Sequence, residues 1–288
     1  MKSREPRRSS KAPAGTADAH GLYVYCVGER DDLRKLFEDK LPDAVEDAPV
    51  DLIAAGDLAA VVSAVPLKDY GEKPLQARLA DPAWVAVRAM RHEEVIEHFA
   101  ARVSVVPLRF GTIYLRSDRI NALISDRQAQ LRSIIERLRG CEEWGINVFR
   151  NWEALMKEIV SLSPRLREIS ERAAESGPGQ SYLLHKQIKT LSAEEARIET
   201  SRIISEVKSS LATASEDAAS LDLLKRETGE HGEVVAKLAF LVARSSFNNF
   251  RRVAEHLARR HAKSGFRLEM TGPWPAYNFS TVADESDS

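Results

Sequence analysis

The chain has 288 residues, of which 43% are hydrophobic and 30% charged, and its 42 Lys and Arg against 43 Asp and Glu give a formal net charge of -1. That length suits two domains of ordinary size, and the balance excludes a disordered chain and any global attraction for nucleic acid or lipid. The longest apolar stretches, Leu58 to Leu67 and Val234 to Ala243, fall well short of the roughly 20 residues that span a bilayer.

Residues 1–19 carry Lys2, Arg4, Arg7, Arg8 and Lys11 among Ser, Pro, Ala and Gly, the composition of a disordered basic arm. Arg7-Arg8 is followed by Ser9-Ser10-Lys11-Ala12-Pro13 and no apolar region, so no export signal is expected and the chain is placed in the cytoplasm. An N-terminal α+β domain is expected over residues 20–140. It opens on a strand, Leu22 to Val27, stopped by Gly28, and a short helical pattern follows from Asp31 to Leu41. Val50 to Ala55 and Leu58 to Val65 flank Gly56-Asp57 as a hairpin. Asp81 caps a helix with Pro82 at its first position, and Trp84, Val87, Val95 and Phe99 recur on its faces. This helix delivers the chain into a strand from Val103 to Tyr114. A single helix is then expected from about Ser117 to Arg139, with Ile120, Ile124, Leu131, Ile134 and Leu138 in its stripe and Gly140 at its end.

A C-terminal α+β domain is expected over residues 141–280, with an acidic tail at 281–288. A strand at Ile146 to Phe149 leads into a helical hairpin spanning about 152–227, broken by Ser176-Gly177-Pro178-Gly179-Gln180. Its second arm reads as one charged helix from Tyr182 to about Glu227, in which Ile204, Val207, Leu211, Ala214, Ala218 and Leu221 step by three and four. That spacing suits packing within the chain, a partner-binding seam or self-association. An apolar strand, Val234 to Val242, a helix from Asn248 to Lys263 and a strand from Phe266 to Met270 close the domain. The hairpin at Gly56 forces antiparallel pairing, so the fold class is α+β with mixed or antiparallel sheets and packed helices. The second domain reads as a ferredoxin-like variant with the hairpin inserted.

The chemistry-bearing residues form no recognised motif. His92-Glu93 lacks the second histidine of a zinc protease helix, because Ile96 stands there, and the seven histidines do not cluster. Gly177-Pro178-Gly179 lacks the lysine of a phosphate loop, and no serine sits in a nucleophile elbow. Cys26 and Cys141 have no paired spacing and read as reduced structural thiols. No cofactor, metal or catalytic residue is expected. Arg109 stands out as a charge between Leu108 and Phe110 in an apolar run. It suits either a solvent-facing or acid-paired arginine, or a fixed cation at the edge of an apolar recognition surface. Trp274 and Tyr277 lie among prolines that cannot donate ladder hydrogen bonds, which puts them at a sheet edge or in a loop. There they suit interdomain packing or anchoring of a partner.

Two segments resemble the signatures of the gas vesicle GvpF/GvpL family: Val105-Val106-Pro107-Leu108-Arg109-Phe110-Gly111-Thr112-Ile113 and Thr271-Gly272-Pro273-Trp274-Pro275-Ala276-Tyr277-Asn278-Phe279. Leu22-Tyr23-Val24-Tyr25 and the stretch from Phe240 through Phe250 extend the resemblance over residues 21 to 280. It implies a non-catalytic structural or assembly protein of gas vesicles, in the cytoplasm or on the vesicle, whose partners are the small hydrophobic shell protein and other gas vesicle proteins. Arg109, Phe110, Trp274 and Tyr277 are its candidate partner contacts. A ligand-binding protein or small-molecule enzyme on the same fold is the alternative.

Overall fold

The computed structural model describes residues 19–223, 228–229 and 232–281. The basic arm before residue 19 and the acidic tail after 281 lie outside the described residues. The chain divides into two compact units between Gln128 and Ala129.

The first unit runs β1 (His20–Glu29), α1 (Arg30–Leu36), β2 (Val50–Ala55), β3 (Leu58–Pro66), α2 (Leu67–Tyr70), α3 (Glu72–Leu79), α4 (Pro82–Ala100), β4 (Val105–Pro107), β5 (Ile113–Tyr114) and α5 (Ser117–Asp126). Its sheet has the order β2-β3-β1-β4, with β5 also on β1, and every pairing is antiparallel. The expected hairpin turns at Gly56-Asp57. Asp81 accepts hydrogen bonds from the amides of Ala83 and Trp84, and Pro82 occupies the first turn of α4. α4 buries His92, Val95, Ile96 and Phe99.

The expected strand from Val103 to Tyr114 is interrupted. Its two ends, β4 and β5, lie along the same side of β1, pairing with Cys26–Gly28 and with Leu22–Tyr23. Between them Leu108 to Thr112 leaves the ladder, turning through Gly111 at φ 82, a conformation a side chain rarely adopts. The helix expected from Ser117 to Arg139 is also broken, into α5 and α6 (Gln128–Leu138), with Arg127 off the helical path at φ -110 and ψ 18. No large apolar side chain stands between Ile124 and Leu131 to hold that turn against a core.

The second unit contains α6, β6 (Cys141–Arg150), α7 (Trp152–Leu162), α8 (Pro164–Ala174), α9 (Pro178–Ala212), β7 (Asp217–Leu221), β8 (Thr228–Gly229), β9 (Gly232–Ala243), a 3-10 turn at Arg244–Ser246, α10 (Phe247–Ala262), β10 (Phe266–Trp274) and a 3-10 turn at Tyr277–Phe279. The antiparallel sheet has the order β10-β6-β9-β7, with β8 on β9. Leaving aside β5 and β8, the two units share one plan. In both, the fourth strand lies beside the first, then come the third and the second.

The helical insertion differs from expectation in two places. Its first arm is split at Ser163, whose hydroxyl caps α8 by accepting from the Leu166 amide, with Pro164 starting the new helix. Its second arm ends at Ala212 rather than near Glu227. Ala218 and Leu221, expected in a helical seam, belong to β7, where they pair with Phe240 and Lys237 of β9. The long β9 needs a neighbour along that edge, and Ala218 and Leu221 fit the sheet as well as they fit a helical stripe.

One cluster joins the sheet to its helices: Ile146 and Val148 of β6, Leu155 and Ile159 of α7, Leu166 of α8, Ala196, Ile203 and Leu211 of α9, Phe240 of β9 and Phe250 of α10. A smaller cluster of Ile169, Ala173 and Leu184 holds α8 to the start of α9. Phe250 is fully buried, with its ring centroid 5.4 Å from that of Phe240. Phe250→Ala is expected to destabilise the protein by about 3–5 kcal/mol, the range for a large cavity in a packed core. Urea denaturation followed by circular dichroism measures it.

Candidate functional site

In the first unit the segment from Pro107 to Thr112 is tied to the sheet at each end. The Leu108 amide donates to the Tyr25 carbonyl at 2.8 Å, and the Val24 amide donates to the Thr112 carbonyl at 2.9 Å. Its middle is tied from below. β1 places Tyr23 and Tyr25 two residues apart with ring centroids 5.0 Å apart, and both side chains are fully buried. A buried phenol needs a hydrogen-bond partner. The Tyr23 hydroxyl accepts the Gly111 amide at 3.0 Å and lies 2.9 Å from Nδ1 of His92 on α4. The Tyr25 hydroxyl accepts the Val45 amide and pairs with Ser63. His92 also bonds the Leu108 backbone.

This frame decides where the predicted contact residues go. Phe110 is half-buried, its ring edge-on to His92 at 5.7 Å and to Tyr23 at 6.2 Å. Arg109 is exposed at the tip of the loop, and its side chain forms no ion pair among the described residues. Its carbonyl closes the turn by accepting the Thr112 amide and hydroxyl. Because the residues around Arg109 leave the strand, they form a turn that displays the cation.

In the second unit the closing segment begins within β10, an edge strand, where the register opposite β6 is irregular between Thr271 and Trp274. Thr271 sits over Gly145, where an added Cβ would meet its Oγ1 at 2.5 Å. Thr271 Oγ1 in turn accepts the indole N–H of Trp274 at 3.2 Å, leaving that ring 46% exposed. Beyond it, Glu143 of β6 is buried and accepts both the backbone amide of Asn278, at 3.0 Å, and its side-chain amide. Arg137 of α6 donates to the Phe279 carbonyl. Phe279 is buried and Tyr277 half-buried, so the strap presents Trp274 and part of Tyr277. Burial raises the Glu143 carboxyl above the usual carboxylate range, against the two bonds from Asn278.

The predicted residues thus form two pairs, Arg109 with Phe110 and Trp274 with Tyr277, each within its own unit. The supports beneath them, Tyr23, His92, Glu143, Asn278 and Arg137, are absent from the sequence-based list. Two tyrosines at alternate positions of an apolar strand, and one acid in another, were the signals available.

Among the described residues no group of three or more His, Cys, Asp or Glu could hold a metal ion. Cys26 is buried, and burial pushes its thiol up, away from nucleophilic use. An open cleft of about 450 Å³ in the second unit is lined by Arg150, Arg197, Thr200, Ser201, Ile204 and Glu233, among others. The Arg150 guanidinium is already engaged by Glu233 at 2.5 Å and Thr200 at 3.1 Å.

The structure thus combines helices with antiparallel sheets, an arginine-tipped loop in the first unit and an aromatic segment tied to β6 in the second. The family model described as gas vesicle synthesis protein GvpL/GvpF matches residues 21–281. The chain belongs to that family, which ties its role to gas vesicles. It is 29% identical over 268 residues to gas vesicle protein L of Streptomyces sp. (strain CB03234), covering 91% of this chain and 94% of the relative. Gas vesicle protein F of the same organism is 27% identical over 236 residues, covering 80% and 87%. The crystal structure of the gas vesicle protein GvpF from Anabaena sp. PCC7120 shares the fold, with a TM-score of 0.62 at 17% identity over 92% of this chain and 98% of that one. GvpF from Microcystis aeruginosa gives 0.59 at 16% identity, over 91% and 99%.

Burial lowers the His92 pKa from 6.5 to about 4, so the ring is neutral at pH 7 and serves as a fixed hydrogen-bonding partner. The folded value lies below the unfolded one. Its contribution to stability is therefore complete above pH 6.5 and is lost as pH falls from 6.5 towards 4, by about 3 kcal/mol at 1.36 kcal/mol per unit. Urea denaturation at pH 7.5 and 4.5 should show His92→Gln losing about 2–3 kcal/mol less than the natural chain over that interval. Parallel losses would remove His92 as the source.

Proposed function

We propose that this protein is a non-catalytic assembly protein of gas vesicles that contacts the small shell-forming subunit while the vesicle forms. The observation that carries the proposal is family membership over residues 21–281. The physical case is direct. A shell that keeps liquid water out must be built from subunits with large apolar surface, and such surface aggregates until it is covered. A folded chain with a net charge of -1 and 30% charged residues supplies solubility, while exposed aromatic and apolar side chains supply the cover. The proposed contacts are Arg109 with Phe110 and Trp274 with Tyr277. Both pairs sit on backbone fixed from beneath, so binding would cost little ordering.

The same reading places the protein in the cytoplasm and at the vesicle; no helix among the described residues is long and apolar enough to cross a membrane. It takes the two units as domains and the second as ferredoxin-like, with α7 to α9 inserted after its first strand. The strand order β10-β6-β9-β7 supports that.

A second reading, a ligand-binding protein or small-molecule enzyme, has the cleft around Arg150 in its favour. Of the two arginines lining that cleft, Arg150 is paired with Glu233, so an anionic ligand would have to compete with that carboxylate or bind at Arg197. A thermal-shift screen of small carboxylates and phosphates tests it.

Capture of purified shell protein by this chain is expected to persist at high salt, because the contact is apolar. The double variant Trp274→Ala/Tyr277→Ala, shown to be folded, should bind at least tenfold more weakly. Unchanged binding would remove the closing segment as the contact, and no binding at either salt would remove the assembly role.

A further inference from the structure

The first half of α4 is apolar apart from Arg88, which a solvent-facing helix is not expected to be. Residues 82–90 read Pro-Ala-Trp-Val-Ala-Val-Arg-Ala-Met, with one charge. That charge is turned away from solvent. Arg88 donates to Glu46 at 2.7 Å, its guanidinium carbon lies 4.3 Å above the Trp84 ring, and the Tyr70 hydroxyl donates to the same Glu46 oxygen. The outer face is left with Ala83, Ala86, Val87 and Met90, all exposed, Val87 at 47% and Met90 at 58%. Farther along the same stripe come Glu94 and Glu97, exposed and without ion pairs among the described residues. Positions 83, 87, 90, 94 and 97 step by four and three, so they form one line along the helix, about 21 Å long at 1.5 Å per residue.

We propose that this face of α4 docks an amphipathic helix of a protein partner, one whose apolar stripe ends in lysine or arginine opposite Glu94 and Glu97. Three features select that partner. Alanines beside Val87 and Met90 leave grooves into which the ridges of a second helix fit. A helix surface has no free ladder groups to offer an added strand. The acidic end attracts a basic helix terminus and repels an anionic lipid surface. The inference rests on the assembly reading, which makes the shell protein the probe, but it assigns the contact to a face distinct from the two described above.

The test uses the full chain and purified shell protein, with affinity measured at low and high salt. Met90→Glu places a charge in the stripe at an exposed position, and Ala86→Trp blocks it by bulk without charge; each is expected to weaken binding more than tenfold with an unchanged thermal melt. Glu94→Lys/Glu97→Lys should weaken binding at low salt and flatten its salt dependence. Leu183→Glu, on exposed surface elsewhere, should change nothing. Shell protein bound equally by the natural chain, Met90→Glu and Ala86→Trp would overturn this assignment and leave the assembly reading standing. A natural chain that binds no shell protein would overturn both. Binding of the natural chain, but not Met90→Glu, to phosphatidylserine vesicles would replace the protein partner with a lipid surface.

Discussion

A buried hydroxyl left without a partner costs about 1–3 kcal/mol, and a buried carboxylate more, and both candidate surfaces are built on meeting that cost. The Tyr23 hydroxyl lies inside the first unit between Nδ1 of His92 and the amide of Gly111. Satisfying it fixes a loop 88 residues farther along the chain. Glu143 does the same in the second unit, where its two bonds to Asn278 hold down the last described segment. In each case the side chain that displays itself to solvent is a neighbour of one that is tied: Arg109 beside Phe110 and Gly111, Trp274 beside the strap. Orientation of the exposed groups is therefore a by-product of polar satisfaction in the interior.

The two sheets solve one topological problem with different accessories. Both put the first and third strands at the centre, where β1 with β3 and β6 with β9 make the longest ladders. In the first unit the fourth strand is cut short and bent out into the Arg109 loop. In the second it continues through Met270 and ends at the proline-rich strap, while the connection after the first strand is expanded into three helices. Variation between the units is confined to connections and edges, where changes leave the central ladder intact.

What could be read from the sequence follows the distance over which each feature is decided. The cap Asp81-Pro82, the turn Gly56-Asp57 and the strand Leu22–Val27 depend on neighbours within a few residues, and all three stand in the structure. The excursion at Leu108–Thr112 depends on Tyr23 and His92, far away in sequence, so the local pattern alone reads as a single strand. β7 was hidden for another reason: Ala218 and Leu221 satisfy a helical stripe and a strand pairing equally, and β9 decides between them. The pairs Arg109–Phe110 and Trp274–Tyr277 were visible as unusual residues in constrained backbone. Glu143 and Asn278 were not, because an acid in a strand and an amide near a terminus carry no signal until folding brings them together.

The small cluster of Ile169, Ala173 and Leu184 has a dynamic consequence. α9 runs for 35 residues, and its members of the sheet-packed core begin only around Ile188. The first three turns of the helix, with the end of α8, hold together through three buried side chains rather than through the β-sheet. Opening free energies scale with the apolar surface each segment buries, so this end of the hairpin opens at a cost far below that of global unfolding. Its amides exchange with solvent while those of β6 and β9 stay protected. Among the described residues, the turn around Gly177 is where a protease meeting the folded protein is expected to cut first.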